Sequence, residues 1–153
     1  MRKFLLPVIN LINLILVSIA WGLSAAKEND SAIIDAAPGQ HDVGCGNLYQ
    51  VVWGGNHANI LGIIAFFAFI LGCVLMLTAF LPIKARKFIA CLEGLSFVGA
   101  GVLFILSPKT YDYPIVKAEL TGRFIAIIVL ILIAGAFSLL MSVIDFTGKK
   151  ESK

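Results

Sequence analysis

Residues 86–101 read RKFIACLEGLSFVGAG, a basic pair followed by an apolar run that contains one acidic residue, Glu93. The run continues to Leu106 with no further charge, which gives it close to the length of about 20 apolar residues that a helix needs to cross a bilayer. A charged carboxylate near the centre of such a span costs about 2.5–3.5 kcal/mol on insertion scales. The stretch therefore predicts a membrane span and raises the question of what Glu93 contacts.

The whole chain has the composition of a membrane protein. Of its 153 residues, 59% are hydrophobic and 14% are charged, and the mean hydropathy is +0.96, whereas soluble domains are about 45–50% apolar and about 25% charged. Four apolar runs, at residues 4–26, 58–81, 88–106 and 122–146, are each long enough to cross a membrane. We therefore predict one all-α integral membrane domain over residues 1–153, an antiparallel four-helix transmembrane bundle with outward loops at 27–57 and 107–121.

The distribution of lysine and arginine predicts the orientation of the bundle. Cytoplasmic segments of membrane proteins carry the excess of these residues. The termini and the link at residues 82–87 carry eight, and the opposite side of the membrane carries four, so both termini are predicted to be cytoplasmic. The net charge of +3 follows mainly from this bias and does not indicate a nucleic-acid partner. The eight are Arg2, Lys3, Lys84, Arg86, Lys87, Lys149, Lys150 and Lys153, and the four are Lys27, Lys109, Lys117 and Arg123.

The first run can be read as a cleaved signal peptide or as a retained span. It begins with basic residues and ends with the small residues Ser24, Ala25 and Ala26, which signal peptidase accepts. It is longer than the usual apolar region of a signal peptide, however, and Pro7 and two asparagines interrupt it. We predict a retained span.

Polar residues in all four predicted spans fall at a similar depth, in the cytoplasmic third of the membrane. At about 1.5 Å per residue, Glu93 lies about 8 Å from the start of its span, and Asn10 and Asn13 lie at about 9 and 14 Å from the start of theirs. The spacing of the two asparagines places them on one helix face. The predicted intramembrane polar core consists of Asn10, Asn13, Thr78, Glu93, Ser96, Ser138 and Ser142.

Glu93 is predicted to face the bundle interior, with its neutral, protonated carboxyl group bonded to Asn10 or Asn13. An alternative is that it extends toward Arg86 at the cytoplasmic end of the same helix. Intramembrane acids often mark proton or ion sites, but the spans contain no second acid or base at depth. The structural interpretation is that Glu93 links helices. Replacing Glu93 by glutamine distinguishes this interpretation from an ion site, because a link should tolerate the change whereas proton transfer should stop.

Stripes of small residues predict close helix packing: Ala65, Ala68 and Gly72; Ala90 and Gly94; and Ala134, Ser138 and Ser142.

The first outward loop contains the candidates for contacts outside the membrane, Cys45, Tyr49 and Trp53. The segment NLYQVVW, at residues 47–53, favours a short β element, and its aromatic residues can instead anchor at the bilayer interface. Cys45 is the single outward cysteine, so it is either free or linked to another chain. Cys91, one turn from the cytoplasm, is a candidate for palmitoylation or a small core residue.

No motif in the sequence indicates catalysis. There is no nucleophile–base pattern, no glycine-rich phosphate loop and no metal-ligand spacing, and His41 and His57 both fall in the first outward loop. We therefore predict a protein that is not an enzyme and that holds neither a cofactor nor a metal.

The chain resembles the MARVEL-type four-span membrane proteins, and in layout the small arthropod junction proteins of the snakeskin kind. The resemblance rests on VINLINLILV at residues 8–17, KARKFIACLEGLSFVGAGVLF at 84–104 and GAFSLLMSVID at 135–145. It implies lateral assembly in specialised membrane regions, such as cell junctions or vesicles, and it implies no active site.

These observations predict a structural or organising protein of the plasma membrane or a vesicle membrane. Its expected partners are the lipid bilayer and either further copies of itself or other membrane proteins. The alternative is a small accessory subunit of a transporter or of another multisubunit membrane complex, in which Glu93 gains and loses a proton.

Overall fold

The computed structural model describes four long helices, at residues 2–25, 60–78, 85–107 and 122–147, with side chains for 7–25, 60–78, 85–107 and 122–144. We name them α1 (Arg2–Ala25), α2 (Ile60–Thr78), α3 (Arg86–Leu106) and α4 (Gly122–Thr147). Each is long and apolar enough to cross a membrane, and the described ranges contain no strand. The prediction of an all-helical multi-pass membrane protein is therefore confirmed. The segment predicted to favour a β element lies outside the described residues.

The helices pack as antiparallel neighbours. Glu93 of α3 contacts Ser138 of α4, and Phe104, which comes after Glu93 in α3, packs against Phe124, which comes before Ser138 in α4. Pairs between α1 and α4 also run in opposite order, from Asn13 with Ser138 to Leu23 with Arg123. Helix α4 thus packs between α1 and α3, and α2 packs on the other side of α3.

Large aromatic side chains fill the space between α1 and α2, which approach each other less closely than the other neighbours do. The Trp21 ring of α1 lies 5.3 Å from the Phe69 ring and 6.4 Å from the Phe66 ring of α2, measured between centroids. Its indole nitrogen donates to Sγ of Cys73 over 3.4 Å. Because interaxial distance follows the size of the side chains at the contact, these rings account for the wider separation.

The backbones of α3 and α4 approach each other closely at Gly94 and Gly135. A Cβ atom on Gly94 would stand 2.9 Å from the Gly135 carbonyl oxygen, and one on Gly135 would stand 3.1 Å from the Gly94 oxygen. Only residues without side chains allow the two backbones to approach this closely. The crossing lies beside Glu93, so it brings the α4 residues near this level against the acid.

Apolar side chains cover the outer surface of the bundle. Leucine, isoleucine, valine and phenylalanine residues on all four helices are exposed, among them Phe67, Leu71 and Leu95. In water such a surface would aggregate, whereas in a bilayer it faces acyl chains. The interior holds both apolar residues and a polar group of side chains: Asn10, Asn13, Ser24, Glu93, Ser107, Ser138 and Ser142.

Candidate functional site

Glu93 lies in the interior of the bundle, on the face of α3 that packs against α4. Its side chain is 0% exposed, and Ala90, Gly94 and Phe97, on the inward side of α3, are buried with it. The spacing of these residues follows the helical repeat of 3.6, so one stripe of α3 is turned inward along its length. The carboxyl group is consequently held away from the acyl chains.

Ser138 of α4 is the residue that bonds the Glu93 carboxyl group. Its hydroxyl oxygen lies 2.7 Å from Oε1 of Glu93 and accepts a bond of 2.8 Å from Nδ2 of Asn13 in α1. Its third contact, at 3.0 Å, is with the carbonyl oxygen of Ala134 one turn earlier. One hydroxyl group thus connects three helices, and we refer to Asn10, Asn13, Glu93 and Ser138 as the polar cluster.

The contacts of Ser138 constrain where hydrogens lie in the polar cluster. A serine hydroxyl has one hydrogen to donate and two lone pairs to accept with. All three contacts are hydrogen bonds at once when Ser138 donates to Ala134 and accepts from Asn13 and from a protonated Glu93. An ionised Glu93 would instead take the Ser138 hydrogen, and the contact with the Ala134 carbonyl would then not be a bond.

Three oxygens of the polar cluster are buried without a hydrogen-bond partner among the described residues. They are Oε2 of Glu93, Oδ1 of Asn13 and Oδ1 of Asn10. Asn10 lies one turn from Asn13 on the same face of α1 and is 2% exposed. In this geometry the three oxygens accept no hydrogen bond from the other side chains of the cluster.

The structure adds Ser138 to the predicted partners of Glu93. The carboxyl group contacts the Ser138 hydroxyl, and Asn13 lies beside it and bonds the same hydroxyl group. No ion pair within the described helices joins Glu93 to Arg86, whose Nε atom is buried without a partner there.

The other residues of the predicted polar core are placed differently. Ser142 is buried and donates to the Lys87 carbonyl oxygen over 3.0 Å, which joins α4 to the start of α3. Thr78 donates to Leu75 within its own helix, and Ser96 is half-buried, without a bond to the polar cluster. Cys91 is free and half-buried, and its palmitoylation stays a prediction. The outward candidates Cys45, Tyr49 and Trp53 lie outside the described residues.

Arg123 makes a contact that the sequence analysis did not predict. Its Nε donates to the Leu23 carbonyl oxygen over 2.8 Å, and its Nη2 donates to the same oxygen. Leu23 lies in the last turn of α1, where carbonyl groups lack helical partners and attract positive charge. The antiparallel order of α1 and α4 places an arginine at the start of one helix beside the end of the other, and this relation becomes visible only when the two helices are known to be neighbours.

Replacing Glu93 by glutamine and by aspartate tests whether the residue acts as a link between helices or as an ionisable group. We expect Glu93→Gln to change the free energy of unfolding in detergent by less than about 1 kcal/mol, because an amide of the same length, like a protonated carboxyl group, can donate to Ser138 and keeps one oxygen acceptor. Glu93→Asp keeps the acid but withdraws it by one methylene from Ser138, and should be the less stable variant. Chemical unfolding followed by circular dichroism gives the order, and an aspartate variant more stable than the glutamine variant would contradict the structural role.

Comparison of the chain with protein-family models, curated proteins and solved structures found no match in any of the three. The resemblance to the MARVEL-type proteins thus rests on the sequence features alone. The described residues also contain no group of three or more histidine, cysteine, aspartate or glutamate side chains that could hold a metal ion.

Proposed function

We propose that the chain is a non-enzymatic organising protein of the membrane, which assembles laterally with copies of itself or supports partner membrane proteins. The observation that carries the proposal is the position of Glu93, the acid that lies deep within a span. Glu93 is fully buried and tied to α4 and, through Ser138, to α1, which is the arrangement of an interhelical link. Such links stabilise a bundle by about 0.6 kcal/mol on average and by up to about 1.7 kcal/mol.

The site of action that fits this role is a specialised membrane domain, such as a cell junction, in the plasma membrane or a vesicle membrane. The proposed orientation has both termini in the cytoplasm, as the distribution of lysine and arginine indicates. The first outward loop would then present Cys45, Tyr49 and Trp53 to a neighbouring chain or membrane. What supports this part is the sequence pattern and the resemblance to the MARVEL-type proteins.

The assembly state in native membranes tests the proposal. The full chain, fused to a fluorescent protein and extracted in polymer nanodiscs without detergent, would be examined by single-molecule photobleaching and by mass spectrometry of co-purified proteins. We expect several bleaching steps per particle, or one step with a stoichiometric partner membrane protein. Single steps with no partner would contradict the organising role. A Cys45→Ser variant on a non-reducing gel shows whether a disulfide contributes to the assembly.

An ion-flux measurement in liposomes addresses the alternative, a subunit of a transport complex. Proteoliposomes that contain the chain should pass protons and sodium ions no faster than empty liposomes. A flux that the wild-type chain supports and Glu93→Gln abolishes would favour the transport role and contradict ours.

A further inference from the structure

One end of the bundle carries a large excess of positive charge. The termini and the link at residues 82–87 hold eight basic residues but only two acidic ones, Asp145 and Glu151, which is a net charge of +6. The opposite end holds four basic and six acidic residues, a net charge of −2. Pairing both acids of the basic end would still leave six basic residues there, so an anion from outside the chain is needed to neutralise it.

The packing of the helices places the start of α3 within this basic end. Ser142, near the end of α4, donates to the Lys87 carbonyl oxygen in the first turn of α3 over 3.0 Å. Helix α1, which begins with two basic residues at Arg2, packs along the other side of α4. The first turn of α3 holds Arg86 and Lys87 and contains no acidic residue. The positive end of the α3 dipole adds to the potential of these two cations.

The outer face of the same turn is apolar and faces the surrounding lipid. Phe88 and Leu92 are each 55% exposed and lie one turn apart on one face of α3, followed by Leu95 at 56%. Nζ of Lys87 lies 5.0 Å from the centroid of the Phe88 ring, which places a positive charge at the end of an apolar stripe. A phospholipid has the matching arrangement, a phosphate group at the end of its acyl chains.

Arg86 adds a second kind of phosphate ligand beside Lys87. The two residues are adjacent, so their side chains leave the helix about 100° apart, and both are half-buried. A guanidinium group pairs with two phosphate oxygens at once, whereas an ammonium group acts as a compact point charge. The first turn of α3 therefore combines two cations with an apolar surface that faces acyl chains.

We propose that the first turn of α3 binds one anionic phospholipid, whose phosphate contacts Arg86 and Lys87 and whose acyl chain lies along Phe88 and Leu92. A zwitterionic lipid brings no net charge and leaves the positive excess in place. The cytoplasmic leaflet is rich in anionic lipids, which agrees with the orientation proposed above. Lipid binding goes beyond the organising role, and because lipid retention and assembly state are separate measurements, either proposal can fail alone.

Native mass spectrometry of the full chain tests the site. The protein in nonionic detergent would be titrated with an equimolar mixture of phosphatidylserine and phosphatidylcholine that have the same acyl chains. We expect one phosphatidylserine per chain to be retained in preference. A basic residue near an anionic lipid surface contributes about a factor of five in affinity, so Arg86→Gln combined with Lys87→Gln should weaken this binding about 25-fold. Equal retention of the two lipids by the wild-type chain would overturn the proposal.

A second pair of substitutions locates the effect. Lys149→Gln combined with Lys150→Gln removes the same charge from the same end of the bundle, after the end of α4, and should keep most of the preference for phosphatidylserine. Equal losses in the two double variants would indicate diffuse attraction by the whole end and overturn a site at α3. In lipid-free detergent the variant at 86 and 87 should unfold at no lower temperature than the wild type, because basic residues in the first turn of a helix oppose its dipole.

Competing anions distinguish a lipid from other occupants of the same turn. Inorganic phosphate and a polyglutamate peptide, each at the concentration of the lipid, should leave the bound phosphatidylserine in place, because neither has an acyl chain to contact Phe88 and Leu92. Displacement by phosphate would assign the site to a soluble anion, and displacement by the peptide would assign it to an acidic segment of a partner protein. Either result would overturn the proposal.

Discussion

Replacing Ser138 by alanine is expected to lower the free energy of unfolding by about 1–2 kcal/mol. The substitution removes one oxygen atom but breaks two contacts between helices, because the same hydroxyl group meets Asn13 and Glu93. Oε1 of Glu93 and Nδ2 of Asn13 would then be buried with no partner at that position, and hydrocarbon offers no water to replace it. Steric trapping or chemical unfolding in mild detergent measures the loss.

Ser142→Ala is the matched control for this prediction. Ser142 lies one turn further along α4, is also buried, and makes one interhelical bond, to the Lys87 carbonyl oxygen. Its replacement should cost about 0.6 kcal/mol, the average for a single hydrogen bond between membrane helices. Equal effects of the two substitutions would mean that the polar cluster adds nothing beyond one ordinary bond. A double replacement of Ser138 and Asn13 should cost less than the sum of the single ones, since the two residues share a bond.

The four helices were predictable because the signal for a membrane span accumulates over about 20 residues. The predicted spans at 88–106 and 122–146 differ by at most two residues at either end from Arg86–Leu106 and Gly122–Thr147. The run predicted at 58–81 gave a described helix of Ile60–Thr78. Local apolarity decides these elements, and the order in which helices pack has little influence on them.

The partner of Glu93 was not predictable in the same way, because hydrogen-bond partners depend on which helices are neighbours. Counting residues from the cytoplasmic side placed Asn10, Asn13, Ser138 and Glu93 at one depth, which is the information a single sequence holds. Helix α4 packs between α1 and α3, so Ser138 comes within reach of both asparagine and acid. Arg123 illustrates the same limit, since its contact with Leu23 follows from the proximity of two helix ends.

The stripes of small residues predicted part of the packing between helices. Gly94 belongs to a predicted stripe, but its counterpart Gly135 is one position away from the stripe of Ala134 and Ser138 and was not singled out. The contact between the two glycines depends on the rotation of α4 about its axis. That rotation buries both Ala134 and Gly135, a choice that the spacing of residues along one helix leaves open.

Gly94→Ala is expected to be destabilising, by about 1–3 kcal/mol relative to Gly99→Ala. A Cβ atom at position 94 would lie 2.6 Å from Cγ of Leu139 and 2.9 Å from the Gly135 carbonyl oxygen. A leucine side chain can rotate away, but a backbone oxygen of a packed helix cannot, so α3 and α4 would have to separate. Because that separation would also lengthen the contact between Glu93 and Ser138, the polar cluster should weaken together with the crossing.

Gly99→Ala provides the comparison because it lies on the same helix, with nothing within 4 Å of an added Cβ atom. Both substitutions gain the same helix propensity, up to about 1 kcal/mol, so the difference between them isolates the clash. Unfolding of the two variants in the same detergent gives that difference directly. Equal stabilities would show that α3 and α4 are further apart at Gly94 and Gly135 than described here, and that Ser138 then reaches Glu93 less closely than 2.7 Å.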